Sequence, residues 1–480
     1  MKHLLRLLAS ITFSVFAISA FSQDSEYLRE YYISSSTGDD TNAGTIDAPK
    51  KSILNLPAEA HKKSKIHLKR GDVFFDCFKE FINCKIDAYG KGEKPVVSGF
   101  RVLVNPSAWE KVPGRDDMYK IDLTDNSNFK GIDNKFELKA GQLYNIGCMY
   151  IPALDSIMGH IVKSTDLMNA DGDIFTTQYF KAEDIAAHPF SSVYLKLSYN
   201  PASLGTVCFS TFRQGAATML NCDVDDISFV GFSNHGASSS LNGSTFTGCS
   251  FDIIGGAVQI GYQRWTRFGN GIEIWGSGAH DVLIENCTFS RTFDTATTIQ
   301  ASGETITSPK NIKFIKNKMY RCRQAFEYFL RSNQNDDEIE FIDCEFSDNT
   351  AYLMGDNGFS SPEARDADLL CYNTVSHPMT IKDNLFYGAS YRCTRIVDTG
   401  ITGNNVFLYP GQYLLNYHLD PNYIPIMAGD TARYRKAAPG DNSRFTILTP
   451  GSSKDKTMKR RIKAIIGWKP PQLKIQELLK

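Results

Sequence analysis

The chain has 480 residues, of which 42% are hydrophobic, 22% charged and 12% aromatic. That composition can bury a large core and excludes a disordered, collagen-like or small disulfide-stapled protein. Fifty-two Lys and Arg stand against 53 Asp and Glu, and no long basic stripe crosses the body of the chain, so a nucleic-acid partner has no electrostatic support.

Lys2, His3 and Arg6 precede an apolar stretch from Leu7 to Ala20, and Ala20-Phe21-Ser22 puts small residues where a signal peptidase reads them. Residues 1–22 are therefore expected to be a cleavable signal peptide, and the protein to be secreted or periplasmic. The apolar run is shorter than the about 20 residues that span a bilayer, so no stable membrane anchor is expected. Eleven cysteines in an exported chain suggest disulfides, but the number is odd and the spacing is not that of a stapled scaffold. Cys77 and Cys84 alone lie close enough for a local bridge, with two free thiols as the alternative.

Residues 23–100 are read as an N-terminal cap and first rungs. Residues 101–215 carry no rung phrase. Trp109, the turn from Pro113 to Arg115, and the alternating runs Tyr119 to Leu123 and Val193 to Leu197 predict an inserted, antiparallel β-rich subdomain. From 216 to 410 a phrase recurs: an apolar residue, a Cys or Asn three positions on, and an aromatic or Met two beyond that. It reads Ile227/Val230/Phe232, Phe246/Cys249/Phe251, Ile284/Cys287/Phe289, Phe314/Asn317/Met319, Phe341/Cys344/Phe346 and Ile381/Asn384/Phe386, the first copy departing from the pattern with Val in the Cys/Asn slot. Its spacing is variable, which a helical solenoid would not tolerate but a coil of short strands does, because insertions loop out between strands. The fold class predicted is all-β, a parallel β-helix in which Cys249, Cys287, Asn317, Cys344 and Asn384 form one interior ladder. Residues 411–480 are read as a C-terminal cap and a basic tail, Lys454 to Lys463.

The stretch Tyr31-Tyr32-Ile33-Ser34-Ser35-Ser36-Thr37-Gly38-Asp39-Asp40, with Asn42, Gly44, Ala48-Pro49, Lys69-Arg70-Gly71-Asp72 and Ala88-Tyr89-Gly90-Lys91-Gly92-Glu93-Lys94-Pro95, resembles the opening of exported right-handed parallel β-helix proteins of the pectate-lyase-like superfamily. With the rungs, the resemblance covers roughly residues 30–100 and 220–410. It implies a polysaccharide lyase, glycoside hydrolase or epimerase acting on a polysaccharide, and does not choose among them. A monomer is expected.

One strand stack carries candidate chemistry: Gly271 to Trp275, Ala296 to Gln300, Ala325 to Phe329 and Ala351 to Met354. With Ile274, Ile299 and Tyr328 inward, alternation sets Glu273, Thr298 and Glu327 in one outward file and Trp275, Gln300 and Phe329 in a second. On consecutive rungs Glu273 and Glu327 are about 9.6 Å apart, near the upper end of the separation used by inverting glycosidases. Asp294 enters the same region, beside Gln300.

Three readings follow, with elimination by a polysaccharide lyase placed first and the other two as its alternatives. Elimination on a uronate glycan needs a cationic clamp, supplied by Arg264, Arg267, Arg291 or Arg323, and a base such as His280, Tyr262 or a lysine. Hydrolysis needs acid and base carboxyls, shared among Asp294, Glu273 and Glu327. A non-catalytic glycan binder would use the same files. Tyr262, Trp265 and Trp275, with Gln300, are candidates for a sugar-stacking wall. No cofactor is firmly implied; Ca²⁺ would be held by Asp223, Asp225 and Asp226. The paired aspartates and Gly-His-Gly of polygalacturonases are absent, Asn234-His235-Gly236 being a partial echo, and so are GxSxG, HExxH, P-loop and dinucleotide motifs.

Overall fold

The structure is a computed structural model that describes residues 27–123, 125–131, 146–176, 192–258, 266–361, 367–371, 377, 379–388, 392–394, 405–408, 413–415, 426–427 and 445–448. The predicted signal peptide and basic tail lie outside the described residues, as do Tyr262, Arg264 and Trp265.

No α-helix occurs among the described residues, which form strands and short 3₁₀ turns. The chain winds as a parallel β-helix of three sheets with nine, ten and ten strands. One coil runs through Thr245–Thr247 in the first sheet, Ser250–Ile254 in the second and Ile272–Trp275 in the third, then enters the next coil at His280–Glu285. Side chains at equal register stack inside. Val224, Phe246, Ile284, Phe314, Phe346 and Ile381 form one file, and Phe229, Phe251 and Phe289 stack face to face with centroids 5.0 Å apart. All of these are buried in one continuous core.

The corner between the first and second sheets shows why small half-polar residues recur. The chain bends through one left-handed residue per coil, at Asp226, Gly248, Asn286, Lys316, Asp348 and Asp383, a conformation that Gly, Asn and Asp adopt most easily. The residue that follows faces inward and, where it is Asn, satisfies the freed backbone groups. Asn317 Oδ1 accepts from the Cys287 N–H at 2.9 Å, Asn349 Oδ1 from Asn317 N–H at 2.8 Å, and Asn384 Oδ1 from Asn349 N–H at 2.9 Å. Their amide nitrogens donate to the carbonyls of Ile284, Phe314 and Phe346, so these buried polar groups are paired.

This register corrects two of the six phrases. The first is Val224/Ile227/Phe229 and the fifth Phe346/Asn349/Ala351. Cys344 belongs to the corner between the third and first sheets, where its thiol donates to the carbonyl of Ile342. Both corners ask for a small buried residue after an apolar one, so the motif alone does not say which corner it marks. The same slip placed Ala351 to Met354 in the candidate stack; Thr350–Tyr352 is a second-sheet strand, and Ala367–Cys371 follows Gln324–Ser332 in the third. Cys77 and Cys84 are both buried, and neither is in a disulfide. Cys84 donates to the carbonyls of Ala60 and Ile82 and so does not bridge to Cys77.

Between the second-sheet strand Val96–Ser98 and the third-sheet strand Gln214–Leu220, the chain leaves the coil and builds two five-stranded sheets. Tyr119 to Asp122 pairs antiparallel with Ser192 to Leu195. The two sheets close over Leu103, Phe209, Met149, Ile121, Val193 and Leu195, and Phe100, Val102 and Tyr150 pack on Val230, Ile253 and Phe293 of the coil.

Candidate active site

Along the third sheet, Glu273 is in register with Thr298 and Thr298 with Glu327, while Trp275, Gln300 and Phe329 line up beside them. Ile274, Ile299 and Tyr328 point into the core. Glu327 is only 8% exposed, so this outward file is not a solvated face. Burying a carboxyl group demands partners, and the corner between the second and third sheets supplies them.

Thr295 is the hub. Its backbone N–H donates to Asn270 Oδ1 at 3.0 Å and its hydroxyl donates to Glu327 Oε2 at 3.2 Å. Asn270 Nδ2 in turn donates to Glu273 Oε1 at 3.2 Å. Gln324 Nε2 donates both to Thr295 Oγ1 at 3.1 Å and to Asp294 Oδ1 at 2.9 Å, and Arg323 Nη1 lies 3.3 Å from the same Asp294 oxygen. Three carboxyl groups from three successive coils are thus linked through one set of hydrogen bonds. The amide beside Asp294 is that of Gln324 from the next coil; Gln300 stands farther along its strand, in the aromatic file.

A fourth coil contributes residues that the sequence reading set aside. His235 Nε2 lies 3.2 Å from Glu273 Oε2, which also accepts from Ser238 Oγ at 3.1 Å. Burial lowers the His235 pKa; Glu273 opposes that shift and Arg213 adds to it. Arg213 is largely buried itself, with its Nε making no hydrogen bond, and burial lowers its pKa against the pull of Glu273. His235 comes next to Glu273 because Gln214, His235 and Asn270 fall at matching heights of adjacent coils. The shifted frame of the first phrase hid this; a frame set on Val224/Ile227/Phe229 aligns His235–Ser238 with Asn270 to Glu273.

Trp275 is the exposed end of the second file, 44% accessible, and its indole meets the Phe329 ring edge-on at a centroid distance of 6.1 Å.

Several predicted site residues do other work. Arg291 is buried, paired with both oxygens of Asp252 and, at 2.6 Å, with Asp155 Oδ1, under the ring of Tyr150; it ties the inserted subdomain to the coil. Arg267 is also buried, donating to the carbonyls of Gly256, Gly147 and Gly159. Neither presents its guanidinium to a glycan. His280 is exposed on the first sheet, beside Asp281 at 3.0 Å, and so stands on a different sheet from Glu273. Asp226 is bound by Arg70 and by Lys94 at 3.1 Å, so two cations already compensate a carboxylate proposed for Ca²⁺. Among the described residues no group of three or more His, Cys, Asp or Glu side chains converges on a metal position.

The fold is that of an all-β parallel β-helix protein, with a half-buried acidic cluster at one corner. No protein-family model and no curated protein matches the chain. Among solved structures it is similar to XylC in complex with xylose, at 13% identity and a TM-score of 0.44, over 79% of this chain and 62% of that one. It is similar also to the GH136 lacto-N-biosidase from Eubacterium ramulus, at 12% identity and 0.33, over 79% and 60%, and to a glycoside hydrolase at 12% and 0.35, over 87% and 99%. The chain thus spans about three fifths of the length of the first two. At these scores the likeness carries no argument about chemistry.

Proposed function

We propose that the protein is a carbohydrate-active enzyme that cleaves a polysaccharide by hydrolysis, using carboxyl groups of Glu273, Asp294 and Glu327 as acid and base. The observation that carries the reading is the convergence of these three side chains, from successive coils, into one hydrogen-bonded cluster. Glycoside hydrolysis needs one protonated and one ionised carboxyl group. Side chains two coils apart, with backbones separated by about 9.6 Å, approach the 6.5–9.5 Å or so that leaves room for an attacking water in inverting enzymes. The adjoining edge of Trp275, with Gln300 and Phe329 in file, supplies an aromatic surface for a sugar ring.

Elimination is supported less well, because Arg267 and Arg291 are bound to protein groups and Arg323 sits on Asp294. Export of the protein from the cytoplasm accords with a polysaccharide substrate and is part of the same proposal. The test is steady-state turnover of Glu327→Gln and Asp294→Asn. At least one of them should lose about 100-fold or more in kcat, the range of a lost general acid. Wild-type rates in both would remove the reading.

A further inference from the structure

We infer that His235 is a positioning residue which, locked in a single tautomer, holds Glu273 as the ionised member of the cluster, so that Glu273 supplies the base and the acid comes from Asp294 or Glu327. This assignment rests on the hydrolytic reading above.

The argument starts from the imidazole. The backbone N–H of Asn270 donates to His235 Nδ1 at 3.3 Å. A ring nitrogen that accepts a hydrogen bond carries no proton, and a neutral imidazole has one donor and one acceptor, so the proton sits on Nε2. Nε2 is the atom 3.2 Å from Glu273 Oε2. Protonating Nδ1 would turn an N–H towards the Asn270 N–H. The ring is buried, which disfavours the cation further.

The carboxyl group then faces donors on both oxygens. His235 Nε2–H and the Ser238 hydroxyl reach Oε2, and Asn270 Nδ2 reaches Oε1. The orientation of that amide is fixed independently, because its oxygen accepts from the Thr295 N–H. Neither the Nε2–H nor the amide N–H can accept a proton's bond, and of the three partners the Ser238 hydroxyl alone could, so the set suits a carboxylate better than a carboxylic acid. Of the charged groups around Glu273, Arg213 lies on the preceding coil and Glu327 two coils on. His235 contributes a dipole and no charge.

Two measurements test this. In ¹⁵N spectra of histidine-labelled protein, assigned with His235→Gln, the His235 ring should show Nε2 protonated and Nδ1 bare, unchanged from about pH 7 to about pH 5. An Nδ1–H tautomer or an imidazolium in that window would overturn the inference even if glycan is cleaved. In the pH profile of kcat/KM, His235→Ala should move the acid limb upward by about one unit and lower kcat about tenfold or more, with KM changed less, since one donor to the base is lost. His235→Gln, which keeps a side-chain N–H, should restore most of the shift. An acid limb that stays in place in His235→Ala would also overturn it. The expected tautomer in a protein that cleaves no glycan would count against the hydrolytic reading and leave the tautomer lock in force.

Discussion

Replacing Glu273 by Gln is expected to lower kcat by about 10²- to 10⁴-fold, the usual worth of a positioned acid or base, while KM stays within a few-fold. Gln has the same shape, and its carbonyl oxygen can still accept one of the hydrogen bonds that reach the Glu273 carboxylate from Ser238, Asn270 and His235. What it cannot do is take a proton from water. The substitution leaves Trp275, two residues along the strand in the other outward file, unchanged, so sugar binding should persist. Steady-state kinetics, with binding followed by quenching of tryptophan fluorescence, separates the two effects. A Glu273→Gln protein that keeps more than half of its turnover would show that the corner's acidic cluster is not the catalytic machinery.

The second large effect is on stability. Arg291→Met should cost about 3–5 kcal/mol, as expected when one partner of a buried ion pair is removed and the other is left charged in the interior. Asp252 is buried and bonds Arg291 through both oxygens, and Asp155 reaches the same guanidinium from the inserted subdomain. Burial by itself would lower the Arg291 pKa; the two carboxylates outweigh it and raise it, keeping the group charged. Because the network crosses from coil to subdomain, the loss should appear as earlier loosening of residues 146–176 in hydrogen exchange, besides a lower denaturant midpoint. Lys316→Ala serves as the contrast. Lys316 pairs with Glu285 at 2.9 Å on the exposed side of the first sheet, and such surface pairs contribute about 0–1 kcal/mol. Equal midpoints for the Arg291 and Lys316 variants would contradict the account of the network.

The coil could be read from the sequence because its interior obeys a local rule. Alternation in Phe246 to Phe251 or Ile284 to Phe289 reports which side chains face in, and the left-handed residue before each Cys or Asn reports a corner. The same rule is what misled at Cys344, since a different corner imposes the same demand for a small buried residue; Val230 is instead an outward strand residue buried under the inserted subdomain. The outward files of Glu273, Thr298, Glu327 and of Trp275, Gln300, Phe329 were also legible, following from period two once the strands were aligned. The fate of the charges was not. That Arg291 and Arg267 are interior follows from the inserted subdomain folding back on the coil, where Asp155, Gly147 and Gly159 wait for them, and no periodicity within the coil announces such a contact. His235 was missed for a third reason: its role depends on stacking height relative to Asn270, and an error of three residues in one rung's frame moves it out of reach.

Incubating the purified protein with a panel of neutral and uronate-containing polysaccharides, while recording reducing ends and ultraviolet absorbance together, tests the central claim most directly. Hydrolysis by the acidic corner predicts reducing ends that accumulate without new absorbance, and their disappearance in Glu273→Gln. Absorbance rising in step with reducing ends would reveal an unsaturated uronate, hence elimination, and would contradict the account.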